Sequence, residues 1–186
     1  MGLVKNWNQT EDAKRRISET LKRRIALGEI KRPGFKKGHF AAKKKYVAIL
    51  DADLSVTPDF VENNRWMLNT ETLIIGNRYG KEKSKVPLRR YIPGRIFNLL
   101  VRVLIGINHQ DTQNPGKIWP KNKKFDKIFA EMQEMRFGGD VELIHRAREF
   151  LSTDVEYNFE EESTLSVSKH APDMLRALLR IRKLDV

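Results

Sequence analysis

The stretch Tyr46-Val47-Ala48-Ile49-Leu50-Asp51-Ala52-Asp53-Leu54-Ser55 constrains this chain more than any other. Its apolar run ends in two carboxylates spaced i, i+2. A run this short, with charge on both sides, reads as a buried strand of a parallel sheet. Side chains alternate along a strand, so Asp51 and Asp53 leave it pointing the same way. Ligands of open α/β sheets collect at the carboxyl ends of strands. Two like charges there repel, and a divalent cation is the simplest way to hold them. Taken alone, the pattern also fits a strand end closed by turn-forming aspartates.

A length of 186 residues suits one domain, 1–186, with a real core. The net charge of +12, from 36 Lys and Arg against 24 Asp and Glu, favours phosphorylated or polyanionic partners or an anionic membrane surface. The absence of cysteine excludes disulfides, thiolate chemistry and Cys-ligated zinc. No apolar run approaches the ~20 residues of a membrane span, and no signal peptide opens the chain. The expectation is a soluble or surface-bound protein.

Residues 9–27 read as a helix, capped by Thr10, with Ala13, Ile17, Leu21 and Ile25 on one face and basic residues around the rest. Pro33-Gly34 marks a turn, and Gly34-Phe35-Lys36-Lys37-Gly38 mixes glycine and lysine as phosphate loops do, without the spacing of a strong phosphate motif. After the carboxylates a helix begins at Thr57-Pro58-Asp59 and runs to about Leu68. Leu73-Ile74-Ile75-Gly76 is a second buried strand ending at Asn77-Arg78-Tyr79-Gly80. A charged loop over 81–93 presents Arg89 and Arg90, as loops that move over an anionic ligand do. Residues 94–105 form an apolar helix with Arg95, Asn98 and Arg102 on one stripe, expected to be core. A polar loop, His109-Gln110-Asp111-Thr112-Gln113-Asn114-Pro115-Gly116, leads to a short strand at Lys117-Ile118-Trp119. Helices follow to about Glu134 and from Asp140, where Asp140 and Glu142 suit a helix start. Residues 155–159 alternate like a strand. Residues 160–162 concentrate acid, and 163–169 read as a polar loop. Residues 173–183 form a basic amphipathic helix whose apolar side holds Met174, Leu175, Leu178, Leu179 and Ile181.

In order, Asp51-Ala52-Asp53-Leu54-Ser55 with Pro58, Ile75-Gly76-Asn77-Arg78-Tyr79, Asp111-Thr112-Gln113 with Lys117-Ile118-Trp119, and Asp140-Val141-Glu142-Leu143 resemble the glycosyltransferase family 2 enzymes that load sugars onto polyprenyl phosphates, the dolichyl-phosphate glucosyl- and mannosyltransferases. The resemblance covers about residues 34–185. Asn114, Pro115 and Gly116 stand where the family has Cys-Gly-Phe, and the two βα units that precede the aspartates in the family have no counterpart, unless residues 4–9 are a remnant of the first. The resemblance implies an α/β, GT-A-like (Rossmann-like, nucleotide-diphospho-sugar transferase) mixed sheet flanked by helices, with a shortened N-terminal nucleotide-binding part.

It further implies a metal-dependent inverting transfer of a hexose from a UDP- or GDP-sugar to a polyprenyl or dolichyl phosphate. Asp51 and Asp53 would hold Mg²⁺ or Mn²⁺, with Ala52, Lys37, Arg78, Arg89 and Arg90 also facing the donor. Arg95 and Lys117 are candidates for the acceptor phosphate. Asp140 stands where inverting members place a catalytic carboxylate; Asp111 is its rival, and Asp111 and Glu142 are otherwise orienting or ion-pairing groups. Peripheral contact with the inner face of the membrane, through 94–105 and 173–183, would suit a cytoplasmic enzyme with a lipid acceptor. Two other classes remain open. One is a catalytically impaired module that binds sugar nucleotide or lipid phosphate. The other is a metal-dependent nucleic-acid enzyme using Asp51, Asp53, Asp140 and Glu142, which the scattered basic residues favour less.

Overall fold

Among the described residues, four short segments, each too short for a helix, pair into one sheet: β1 (Tyr46–Ile49), β2 (Leu73–Asn77), β3 (Lys117–Pro120) and β4 (Phe150–Asp154), in the order β1-β3-β2-β4. The computed structural model describes residues 35–51, 55–69, 71–80, 87–134, 138–155, 157 and 167–184. The helix expected over 9–27, the Pro33-Gly34 turn, Ala52 and Asp53, residues 81–86 and residues 158–166 lie outside them. The described helices are α1 (Phe35–Ala41), α2 (Asp59–Asn63) with a 3₁₀ turn (Arg65–Asn69), α3 (Leu88–Ile105), α4 (Lys123–Glu131), α5 (Gly139–Ala147) and α6 (Val167–Ile181).

The chain is thus mixed α/β, with a four-stranded mixed sheet flanked by helices. Strand β3 runs antiparallel to both β1 and β2, and β4 runs parallel to β2. Strands β1, β2 and β4 therefore share one direction. Their carboxyl ends and the amino end of β3 lie along the same edge of the sheet. Consecutive residues serve opposite faces, as strand pleating requires. Leu73, Ile75 and Trp119 join Phe97, Phe125, Phe129, Leu143 and Leu178 in the larger core cluster. Ile74 and Ile118 join Val56, Phe60 and Val155 in the smaller one on the other side. Each fully buried Leu, Ile or Phe contributes about 1.5–3 kcal/mol relative to exposure.

Several expectations change. Strand β1 is not flanked by parallel neighbours: its described partner is antiparallel β3, and Ala48 is exposed. Lys36, Lys37 and Gly38 are in helix α1 rather than a phosphate loop. His39 explains the helix, because tertiary packing there outweighs the local glycine. It is fully buried, stacks on Phe129 at 4.2 Å between ring centroids, accepts from Trp119 Nε1 at 3.0 Å and meets Asp126 at 2.8 Å. Arg89 and Arg90 stand in the first turn of α3, which begins after Pro87, and not on a loop. Asn98 of α3 turns inward and is buried, whereas seven large apolar residues of the same helix are exposed. The last described strand is Phe150–Asp154, its register Leu73↔Phe150 to Asn77↔Asp154 placing it along β2; of the strand expected over 155–159, Val155 and Tyr157 are not in a strand and the other three residues lie outside those described. Gly106, in the left-handed region at φ 82°, ends α3, its N–H donating to Arg102 O, as a glycine at a helix end commonly does.

Candidate functional site at the carboxyl edge of the sheet

The edge where β1, β2 and β4 end collects most of the polar residues singled out in the sequence. Arg78 is the first residue after β2. Its Nε donates to Asp111 Oδ2 at 2.7 Å, its Nη2 to Oδ1 at 2.6 Å, and its backbone N–H to Oδ2 at 2.9 Å. This is the bidentate fork geometry that makes Arg–carboxylate pairs strong. Asp111 is fully buried and also accepts from Asn114 Nδ2 at 3.2 Å. Burial pushes the Asp111 carboxyl up, but the hydrogen bonds and charge of Arg78 outweigh it and hold it below the usual carboxylate range. Burial pulls the Arg78 guanidinium down, and Asp111 more than restores it. The pair is locked in its charged form.

The loop from His109 to Gly116 is built around that pair. The Asp111 N–H donates to His109 Nδ1 at 3.0 Å, which leaves the proton on Nε2, facing Ser152 Oγ of β4 at 2.9 Å. Burial lowers the His109 pKa, with Asp111 opposing. Asn98 Oδ1 accepts from both the N–H and the Oγ1 of Thr112, at 3.2 and 2.9 Å, and ties the loop to α3. Asn114 Oδ1 accepts from Gly116 N–H at 2.7 Å. A Cβ on Gly76 would stand 2.8 Å from that same oxygen, so β2 and the loop approach this closely only because position 76 has no side chain.

Lys117 opens β3 between Ile49 and Ile75, and its side chain is fully buried. A buried ammonium needs partners. It has two: the carbonyl of Asn114, and Asp140 Oδ1 at 2.6 Å, an ion pair rather than an aligned hydrogen bond. Asp140 lies in the first turn of α5 and keeps a fifth of its side chain exposed. Arg78, Asp111, Asn114, Lys117 and Asp140 therefore form one connected network. Asp51 belongs to the same edge, two residues past Ile49, whose partner in the ladder is Lys117. Asp53 is outside the described residues. No three of the described His, Asp and Glu residues come together in a way that could hold a metal ion.

Tyr79 extends the site toward α3. Its ring has the Arg78 guanidinium at 5.8 Å, that of Arg95 at 5.7 Å and the Tyr91 ring edge-on at 5.6 Å. Tyr157 covers Arg78 at 4.9 Å. Cation–π contacts of this kind hold guanidinium groups without neutralising them. Burial raises the Tyr79 phenol above its ordinary pKa. Among the described residues Arg95 makes its contact with the Tyr79 ring and no ion pair.

Other candidates stand apart. Lys37 is exposed on α1, and Arg89 is exposed at the start of α3. The Glu142 carboxylate is fully buried and accepts from the Gln133 and Glu134 N–H groups, the latter at 2.6 Å, and from Arg146 Nε at 2.7 Å. It closes the chain after α4, which is a positioning role. Sequence reading did not take His109, Asn98, Asn114, Tyr157 or Asp154 as site residues. Asp154 ends β4 at the site's edge and accepts weakly from Asn77 Nδ2 at 3.4 Å. A lone Asn within an apolar helix was the one signal that could have found Asn98. Neither a protein-family model nor a curated protein matches this chain.

Proposed function

We propose that this chain is a metal-dependent inverting glycosyltransferase with a GT-A-like sheet, moving a hexose from a nucleoside-diphosphate sugar to a polyprenyl-type phosphate. The observation that carries this reading is the convergence at one sheet edge of Asp51, the Arg78–Asp111 pair and the Lys117–Asp140 pair, beside Arg95. Carboxylate oxygens suit Mg²⁺ or Mn²⁺, and Asp51 and Asp53 are the residues that would hold it. A cation bound there supplies positive charge against the diphosphate as its bond to the sugar breaks.

The chain's own groups do the rest. Arg78, fixed by Asp111, presents a rigid positive edge to the leaving phosphates. Arg95 on Tyr79 receives the acceptor phosphate. An acceptor oxygen attacks the anomeric carbon from the face opposite the diphosphate, and the electron pair of the broken bond leaves with the diphosphate. A phosphate with a second pKa of ~6 is largely ionised already, so positioning matters more than a strong base. Any remaining proton goes to Asp140, the partly exposed carboxylate, held in place by Lys117. Asp111 is bound on both oxygens and serves as the anchor of Arg78.

A sugar-nucleotide or lipid-phosphate binding module without turnover is the second reading. The mutual satisfaction of Arg78 and Asp111 favours it, because such a pair is also what a purely structural site contains. Thermal-shift screening of UDP- and GDP-sugars with Mn²⁺, followed by a transfer assay to a polyprenyl phosphate, tests both. Stabilisation by one nucleoside-diphosphate sugar is expected. Asp140→Asn should then lower turnover by ~10²-fold or more with donor binding retained. Donor binding without transfer leaves the binding module. Stabilisation by none of the donors, or metal-dependent binding that survives Asp53→Ala, rejects the metal-diphosphate assignment.

A further inference from the structure

A helix packed on a core normally turns charged side chains to water on its other side. Helix α3 does not. At ~100° per residue, Phe97, Asn98 and Val101 point to the core, and all three are buried. Leu88, Ile92, Ile96, Leu99 and Val103 follow one another at intervals of four, four, three and four residues, forming one stripe on the opposite side. All five are exposed, Leu88 and Val103 to 72% and Ile96 and Leu99 to 56% and 57%. Helix α6 packs beside α3 and exposes Leu175 and Leu179 while burying Leu178 and Ile181. Scattered apolar side chains on a surface are ordinary, but a contiguous stripe of this length marks a contact surface.

We propose that the outer face of α3, with α6 beside it, docks on an anionic lipid bilayer. Charge selects the occupant. Arg89 borders the stripe on one side and Arg95 and Arg102 on the other, and α3 contains no Asp or Glu. A second copy packed face to face would set these arginines against their own kind in chains that each carry +12. Lipid headgroup phosphates meet them instead, while the stripe enters the acyl boundary as in interfacial amphipathic helices. The helix lies in the interface and does not cross it: no described helix is long and apolar enough to span a membrane. Because Arg95 also touches Tyr79, docking brings the carboxyl edge of the sheet to headgroup level. The surface stands on α3 and α6 alone and holds whether or not the edge transfers a sugar.

Sedimentation of the full chain with phosphatidylcholine vesicles, with and without added phosphatidylserine, tests this in the absence of any nucleotide. Binding to the anionic vesicles is expected, weakening as salt rises. The triple variant Ile96→Gln, Leu99→Gln, Val103→Gln should bind at least about tenfold more weakly with an unchanged Tm, since all three side chains are already exposed. Arg102→Gln should weaken binding to anionic vesicles about fivefold and leave neutral vesicles unaffected. Wild-type protein that ignores anionic vesicles overturns the proposal, as does a triple variant that binds them equally well. Loss of a dimer, or a clear fall in Tm, in that variant shows the stripe covered by a second copy or by another part of the chain, and also overturns it.

Discussion

The carboxyl edge of the sheet and the outer face of α3 depart from simple inside-outside partition in opposite directions. At the edge, Asp111 and Lys117 are fully buried although both carry charge. On α3, six large aliphatic residues face outward although nothing described covers them. Each departure is tolerable for its own reason. The buried charges are matched in tight pairs, and such pairs survive only when every partner is present. The exposed aliphatics disturb no folded-state contact, so their cost falls on solubility and association. The edge is therefore sensitive to substitution in its stability, and the helix face in its binding.

The largest effect expected is from Asp111→Ala. It strands the mostly buried Arg78 guanidinium, takes the acceptor from two further donors, the Arg78 backbone N–H and Asn114 Nδ2, and should cost about 3–5 kcal/mol in urea unfolding. A loss below 1 kcal/mol would mean that the network is loose and the contrast with α3 false. Gly76→Ala comes next. Its Cβ would press on Asn114 Oδ1 and on Val155, and overpacking of this kind costs about 1–3 kcal/mol. The Arg78–Asp111 pair should remain, as donor binding or proteolytic protection of 109–116 would report.

Acid should act on the edge and the adjoining core before it touches α3. Burial lowers the pKa of His39, His109 and His145 below the ordinary 6.5 of an imidazole. A histidine depressed in the folded state binds its proton more readily when unfolded. Its contribution is therefore full above about pH 6.5 and is lost as pH falls through the depressed value. Asp111 follows in the acid range, since its carboxylate is favoured by folding and its contribution is present above the unfolded value and lost below it. Urea midpoints should therefore fall from pH 7 toward pH 5 and again below pH 4. In His109→Gln the first fall should be shallower; an unchanged slope would detach His109 from the network. The smallest effect belongs to Leu99→Gln, which should change stability by no more than ~0.5 kcal/mol. A larger loss would show that the stripe is buried in the folded protein.

Much of this was legible beforehand for reasons of period and position. The apolar runs at 46–50 and 73–76 and the short strand at Lys117 announced themselves by length and flanking charge. Asp111, Arg78, Lys117 and Asp140 were singled out before their contacts were visible. Local pattern failed where partners distant in the chain decide. His39 turned a Gly-Lys stretch into helix α1 by packing on Trp119 and Phe129, which lie 80 and 90 positions away. Strand β4 stands at Phe150–Asp154 because it pairs in register with β2, a partner far earlier in the chain. The apolar run 94–105 was expected in the core, yet an apolar helix pattern does not say which side another element will cover.

By itself the sequence determined the α/β composition of the described part, the strand that ends in Asp51, and the set of charged residues available for chemistry. Hydrophobic period, turn residues and charge act over a few neighbours, so they survive in the linear record. Only the tertiary structure decided which carboxylate is an anchor and which is open. Asp111 and Asp140 look alike in the chain, but one is bound on both oxygens by Arg78 and the other rests on Lys117 with an exposed edge. It likewise decided that α3 wears its leucines outside. Pairing and exposure depend on what the fold brings to each side chain.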